Sequence, residues 1–536
     1  MATTPSNIVG IDFGTSTSFV ATPEAGILSL GERPYIPSIA GVLDRRLLVG
    51  EAASVLPPDR VIRSAKRAIT NWQTQLPVGG RYATAQRPRD QVITAIFKEL
   101  RDRARQSGSS FKAADTLRFG CPAEWTNDQR QLLLELAKSG GLPVKRAEIV
   151  EEPVAAGVEW LERQVARARE VEGRLLVFDM GGGTLDVAVM HVLGGSKPQI
   201  TVLTSAGIGT AGDALDEAIY SDIVAHYQLD LSSMPDPMRA SHHILTTALE
   251  TKIRLSADMS HDIFPNARLL GATKMASLRY PREKLNHIFT PLMDEAESAV
   301  LRALRMARLA DHGAADLATV QKLAPTELAK DIDFVLLVGG MSRVPYVQQR
   351  LGALFPDAEL ILDSGTADEA VVKGLISTTK LNTINMYRPG FDFDLVCPNE
   401  RIRLYTSYTP LFSNEELMRG QSKLAYRFEL STKRLPRNGT GQLEAHAADG
   451  GRVNMTHRLR SAVTPDDRVV DGLTVRFGHY DIRFALYTDG RIHITDGHGD
   501  DHELWIEGWP VLVRPGTVPT PRNTPDLPVY YPFNKS

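Results

Sequence analysis

The sequence predicts an α/β fold over most of its length, with helices covering a largely parallel or mixed sheet and a separate β-rich region after it. Strand-like and helix-like runs alternate from Ile8 to about Lys380. Three of the four clearest strands run into glycine-rich turns. After about Asn385 the character changes to alternating β-type segments separated by turn residues. The 536 residues are 43% apolar and 23% charged, enough to fill the cores of several domains, which excludes wholesale disorder.

The four strands are IVGID (Ile8 to Asp12), LLVFDM (Leu175 to Met180), DVAVMHV (Asp186 to Val192) and FVLLVGG (Phe334 to Gly340). Their nearly continuous apolar character suits strands buried on both faces. Helices are expected over Arg89 to Arg105, Asn127 to Ser139, Pro153 to Ala168 and Pro291 to Ala310, where apolar residues recur at three and four. In the β-rich part, Asp489-Gly490 between two alternating runs signals a hairpin, because glycine accepts the positive φ of a tight turn. Trp505 and Trp509 occupy alternating strand positions and are expected in the core. His493, His498 and His502 stand among carboxylates, but at spacings that match no standard metal-ligand set, so His493 to Glu503 reads as a solvated loop. The six prolines between Arg514 and Ser536 make an extended tail or a surface strap. The expected domains are therefore 1–384, 385–513 and 514–536.

With 61 basic and 64 acidic residues the net charge of −3 supplies no general field for a phosphate backbone, and nucleic acid is not an expected partner. Two cysteines, Cys121 and Cys397, are too few for a disulfide framework or a four-thiolate zinc site and fit a reducing compartment. Neither a signal segment nor an apolar run of bilayer length is found, so the reading is a soluble, cytoplasmic protein without membrane contact.

Two segments carry the chemistry. In GIDFGTSTSFV, Asp12 ends a buried strand and Gly14 is followed by the hydroxyls of Thr15, Ser16, Thr17 and Ser18. A nucleoside triphosphate needs donors for its phosphate oxygens and a carboxylate near Mg²⁺, usually through water because that ion keeps its hydration shell. The same device recurs in FDMGGGTLDVAV, with Asp179 at the strand end, Gly181, Gly182 and Gly183 in the turn, and Thr184 after it. No Walker-type loop is present, and no GxGxxG opens a helix after the first strand.

These residues resemble the actin-like ATPase domain shared by actin, sugar kinases and the seventy-kilodalton heat-shock chaperones, and they are most similar to the chaperones. VEEPVAAGVEW (Val150 to Trp160) resembles the family's connecting helix, LLVGGMSRVPYVQQRL (Leu336 to Leu351) its adenosine motif, and ADEAVVKGL (Ala367 to Leu375) its closing helix. The resemblance implies a two-lobed, duplicated ribonuclease H-like fold that binds ATP or ADP with Mg²⁺. It implies that Asp12 and Asp179 hold hydrated Mg²⁺ with Asp186 nearby. Thr15, Ser16, the amides of Gly181 to Gly183 and Thr184 would hold the β- and γ-phosphates, and Glu152, next to the competing Glu151, would orient the attacking water. By the same resemblance Gly339 and Gly340 admit the nucleoside, Arg343 stacks on adenine, Lys252 and Ser256 face base and ribose, and Asp368 closes the pocket. Gly212 belongs to the second lobe's phosphate loop, GIGTAGDALDEAI, where Ala211 replaces a usual glycine.

Some family features are missing. Leu249 and Ile253 stand where the family has glutamate and arginine, which weakens the expected base and ribose contacts. The family's catalytic lysine is sought after SAKRAI (Ser64 to Ile69), yet Trp72 to Gly80 has none, and Lys66 matches a different position. Less stabilisation of the γ-phosphate charge would follow, with slow turnover or binding without hydrolysis. FDFDLV (Phe391 to Val396) shows only a faint likeness to the chaperones' linker, and no lid-sized helical run follows it. Two readings result. One is a chaperone-like ATPase whose C-terminal domain takes unfolded polypeptide, with a co-chaperone or exchange factor. The other is an ATP-dependent interaction or assembly protein with little hydrolysis.

Overall fold

A computed structural model of the chain describes residues 8–506 apart from 81, 83–84, 110, 113–114, 126, 195–198, 313–319, 321, 363–367, 378–381, 386–388, 390, 408, 412–424, 437, 448–451, 459–466 and 488–489. The proline-rich segment 514–536 and Trp509 lie outside the described residues.

Two sheets of the same topology make the body of the molecule. In the first lobe Ile8–Phe13 pairs antiparallel with Thr17–Thr22, which pairs antiparallel with Gly26–Ile27. On its other side Ile8–Phe13 pairs parallel with Thr116–Cys121, and that strand with Ala147–Glu151. The second lobe repeats the plan. Gly173–Met180, Leu185–Leu193 and Gln199–Ile208 form the antiparallel meander, and Phe334–Val338 and Glu359–Leu362 add in parallel. Numbered in sequence order within each lobe, both sheets run 5-4-1-2-3, and Asn382–Asn385 adds a parallel edge strand to the second. This is the two-lobed actin-like arrangement that the resemblance implies.

Two helices tie the lobes together by exchanging sheets. Glu152–Ala166 follows the last strand of the first lobe but buries Val154, Ala155 and Val158 against Val177, Ala188 and Met190 of the second. Ala370–Ser377 comes from the second lobe but lies on the first, its Leu375 against Gly10. The two helices cross where a Cβ on Gly374 would sit 1.8 Å from the Ala155 carbonyl oxygen, so only glycine permits the approach.

The long helix expected from Pro291 begins earlier, at Arg282, and runs to His312 with Pro291 inside it. Tertiary burial of Leu285, Phe289, Met293 and Val300 on the second-lobe sheet outweighs the hydrogen bond that proline removes. The other expected helices are found at Arg89–Gln106, Asn127–Ser139 and Glu152–Ala166.

The C-terminal region is β-rich, as the sequence predicts. One sheet centres on Phe391–Val396 and Thr440–Ala447, and the other runs from Ala425–Leu430 through Ile482–Tyr487, Arg491–Thr495 and Asp501–Ile506 to Met455–Arg458 and Asp467–Val470. They share a core of Leu395, Leu443, Val475, Phe484, Ile494 and Leu504, which Met306 of the long helix and Val320 also enter. Gly490 has φ +81° between two antiparallel strands, while its neighbour Asp489 lies outside the described residues. Trp505 is not a core residue: Leu504 and Ile506 point inward, and Trp505, on the other face, is half-buried. His493 to Glu503, expected as a solvated loop, is instead a hairpin: Arg491–Thr495 pairs antiparallel with Asp501–Ile506, and in the turn between them buried Asp496 accepts from Arg476 and from the amides of His498 and Asp500. No helix among the described residues is long and apolar enough to cross a membrane.

Replacing Gly374 with alanine should destabilise the chain by about 1–3 kcal/mol, because backbone must move at the crossing. An unchanged thermal midpoint would contradict the close approach.

Candidate nucleotide-binding cleft

Each glycine turn joins the first two strands of its lobe, and the two are built alike. The Gly14 amide donates to the Thr17 carbonyl at 3.0 Å, and the Gly181 amide to that of Thr184 at 3.0 Å. The turns face each other across the lobes, since a Cβ on Gly183 would meet Thr15 Oγ1 at 3.0 Å and one on Gly182 would meet Ser16 Oγ at 3.6 Å. Between them opens a cleft of about 550 Å³. It is lined by Asp12, Gly14, Thr15, Ser16, Glu152, Asp179, Gly181, Gly182, Gly183, Thr184 and Asp186 at one end. Lys252, Ser256, Gly339, Gly340, Arg343 and Asp368 line the other. Gly339 has φ +78°, and a Cβ there would meet the Met180 carbonyl oxygen at 2.4 Å and Asp179 Oδ1 at 2.6 Å, so this turn also needs glycine.

Gly212 is the one expected binding residue that does not line the cleft. Its amide donates to the Gly181 carbonyl at 3.1 Å, and the Asp213 amide to that of Gly182 at 2.7 Å. The N-terminus of helix Gly212–His226 therefore props the glycine turn from behind, and its first amides are used in doing so.

Lys66 lies in the cleft, which corrects the expectation that the site lacks a lysine. Its ammonium donates to Glu152 Oε1, with both side chains nearly buried. Burial opposes its charge, but Glu152 and Asp12 outweigh that and hold the lysine pKa above its ordinary value. The competing Glu151 is turned away and pairs with Arg130 at 2.8 Å.

The carboxylates are crowded. Asp179 and Asp186 face each other across the second-lobe hairpin, and Asp12 ends the matching strand of the first lobe. Burial first, then the Glu152 charge, pushes the Asp12 carboxyl up to about 7. Burial, with Glu152 and Asp12, pushes Asp179 up to about 8. Asp186 is also raised by burial and by its acidic neighbours, and both its oxygens are engaged, one by the Ala123 amide of the first lobe at 2.6 Å and the other by the Thr184 hydroxyl at 2.8 Å. Its position makes it a strut between the lobes. Among the described residues no three metal-binding side chains converge closely enough to cage an ion directly. Four carboxyl groups with one lysine form an oxygen-rich end that suits a hard divalent cation held through water, whose charge would displace the protons that burial keeps on them.

At the other end Lys252 pairs with Asp216 at 2.7 Å, and Arg343 pairs with Asp368 at 2.9 Å across the mouth. Leu249 and Ile253 line this end with their side chains partly open to solvent. The lobes meet again beside the glycine turns, where Arg67 binds Asp213 at 3.0 Å.

A family model described as Hsp70 protein matches residues 8–382, which spans both lobes. The chain belongs to the Hsp70 family. Its relatives include "Chaperone protein DnaK" of Thermoplasma volcanium, 28% identical over 362 residues, covering 64% of this chain and 53% of that protein. The protein of the same name from Thermotoga petrophila is 28% identical over 389 residues, 69% of this chain and 59% of the relative. That from Endomicrobium trichonymphae is 29% identical over 363 residues, 64% and 52%. This Hsp70-family chain thus spans little more than half the length of these relatives.

Lys66 has no site role in the sequence reading, which matches it to a different position from the family's lysine, yet it lines the cleft. No local pattern marks it, since Lys66 stands beside Arg67 in SAKRAI; only the fold buries it with Ala65, Ala68 and Ile69, where its charge needs an anion. The raised carboxyls give a pH signature. Folded Asp12 and Asp179 retain protons that the unfolded chain releases, so their contribution lowers stability as pH rises from about 4 to about 8. Asp179→Asn removes one such group, and in chelator-treated protein it should gain stability over the native chain more at about pH 8 than at about pH 5. Parallel urea-midpoint profiles for the two chains would contradict the shift.

Proposed function

We propose that this Hsp70-family chain binds ATP with Mg²⁺ in the cleft, hydrolyses it slowly, and couples the nucleotide to polypeptide or partner binding by its β-rich C-terminal domain. The observation that carries the reading is the Lys66–Glu152 pair set beneath two facing glycine turns, each with an aspartate at its strand end. A triphosphate could not enter so acidic a cleft unaccompanied, and Mg²⁺ bound through water to Asp12 and Asp179 would supply the neutralising charge.

In this reading the hydroxyls of Thr15 and Ser16, the amides of Gly181 to Gly183 and the Thr184 hydroxyl hold the β- and γ-phosphates. Lys66 stabilises charge on the transferred phosphoryl group, and Glu152, fixed by that lysine, orients the attacking water. The lysine in the cleft favours turnover over binding alone, because it supplies the cation whose expected absence argued for a non-hydrolysing assembly protein. The long helix that walls the second lobe also enters the C-terminal core through Met306, which gives lobe movement a packed route to the β domain. That the relatives are chaperone proteins by name supports a polypeptide client.

Single-turnover hydrolysis with Mg²⁺ tests the catalytic reading. Lys66→Met should slow the step about 10²–10³-fold while nucleotide still binds, and Asp12→Asn should weaken binding of the Mg²⁺ complex. An unaltered rate in the first and unaltered affinity and turnover in the second would remove the assigned roles. Coupling predicts that an unfolded peptide binds the full chain with different affinity in ATP and ADP; equal affinities would defeat it.

A further inference from the structure

We propose that the nucleoside end of this cleft selects a purine by surface and leaves its hydrogen-bonding edge and its ribose unread, so that GTP and 2′-deoxy-ATP bind within about thirtyfold of ATP. The inference rests on the nucleotide reading above and deepens it.

Helix Pro237–Ala257 presents residues 249, 252, 253 and 256 to the cleft, the three-and-four spacing of one helical face. Two of them are aliphatic. Leu249 is 40% exposed and Ile253 60%, so their apolar surface is open to whatever enters. The two polar members are engaged. Lys252 is held by Asp216 at 2.7 Å and by the Gly212 carbonyl at 3.4 Å. The Ser256 hydroxyl donates to the carbonyl of Lys252 at 3.1 Å, which leaves it lone pairs that accept from the amino group of adenine or guanine alike.

On the facing wall the Arg343 guanidinium is fixed to Asp368 at 2.9 Å, a plane that stacks on any purine. Met341 and Val344 add further apolar surface. Nothing on the helical face forms a donor-acceptor pair able to tell one purine edge from the other, and Asp368, the carboxylate among the described residues on the facing wall, is taken up by Arg343. Sites that hydrogen-bond a group reject its analogue by about 10⁴–10⁵-fold, whereas apolar walls discriminate by only about 10–200-fold. The Leu249 and Ile253 pair places this cleft in the second class.

Calorimetric titration of the full chain in Mg²⁺ with ATP, GTP and 2′-deoxy-ATP separates the outcomes. Affinities for GTP and 2′-deoxy-ATP within about thirtyfold of that for ATP are expected, at the lower end of apolar discrimination. Weaker binding of either by more than that overturns the inference while leaving the nucleotide reading intact, and no binding by any of the three overturns both. Leu249→Ala with Ile253→Ala should weaken ATP and GTP by the same factor, about tenfold, at an unchanged melting temperature, because both side chains are open to solvent. Loss confined to ATP would also overturn it.

Discussion

The approach of two helices at Gly374 is the constraint from which the cleft follows. Each helix leaves one lobe and packs beneath the sheet of the other, so neither sheet has a complete core without its neighbour's helix. The same exchange places Glu152, first residue of one helix, and Asp368, just ahead of the other, at the two ends of a single cleft. A wider crossing would open the floor between the lobes and separate Glu152 from Lys66. The geometry of the cleft floor is thus a consequence of backbone contact that only glycine allows.

Electrostatics at that floor is tightly balanced. Asp12, Glu152, Asp179 and Asp186 converge in a buried region where each raises the cost of ionising the others, and Lys66 offsets part of the excess. Such a site stores repulsion that added positive charge would relieve. Asp186 adds a mechanical element, because its carboxylate grips the Ala123 amide of the opposite lobe and the hydroxyl of Thr184 in its own. Arg67 and Asp213 make a second interlobe tie beside the glycine turns. Two polar ties, Asp186 to Ala123 and Arg67 to Asp213, therefore join the lobes beside the glycine turns.

The β-rich region departs most from what the family resemblance implies. Its two sheets share one core, and that core is continuous with Met306 of the second-lobe helix. The packing seats the region on the second lobe, and Asp394, buried within its first strand, binds Arg401 and Arg403 on the neighbouring strand. Phe391–Val396, which the sequence compares faintly with a linker, is a central strand of this domain, paired on both sides.

By itself the sequence determined the alternating α/β class, the two matching glycine turns and the change to β structure after the second lobe, because each is encoded locally. Continuous apolar runs make buried strands, and glycine, hydroxyl and aspartate at fixed offsets make a turn that presents amides beside a carboxylate. Only the tertiary structure decided which groups share the cleft. Lys66 and Glu152 are 86 positions apart and meet because two strands and a crossing helix bring them together. Glu151 and Glu152 are indistinguishable as neighbours in sequence, yet one faces Arg130 and the other Lys66, since side chains at the junction of strand and helix leave in different directions. Gly212 follows the family pattern but props a turn from behind, and Trp505 alternates like a core residue but lies on the outer face. Alternation reveals that a strand has two faces; the sheet packed against it decides which one is inside.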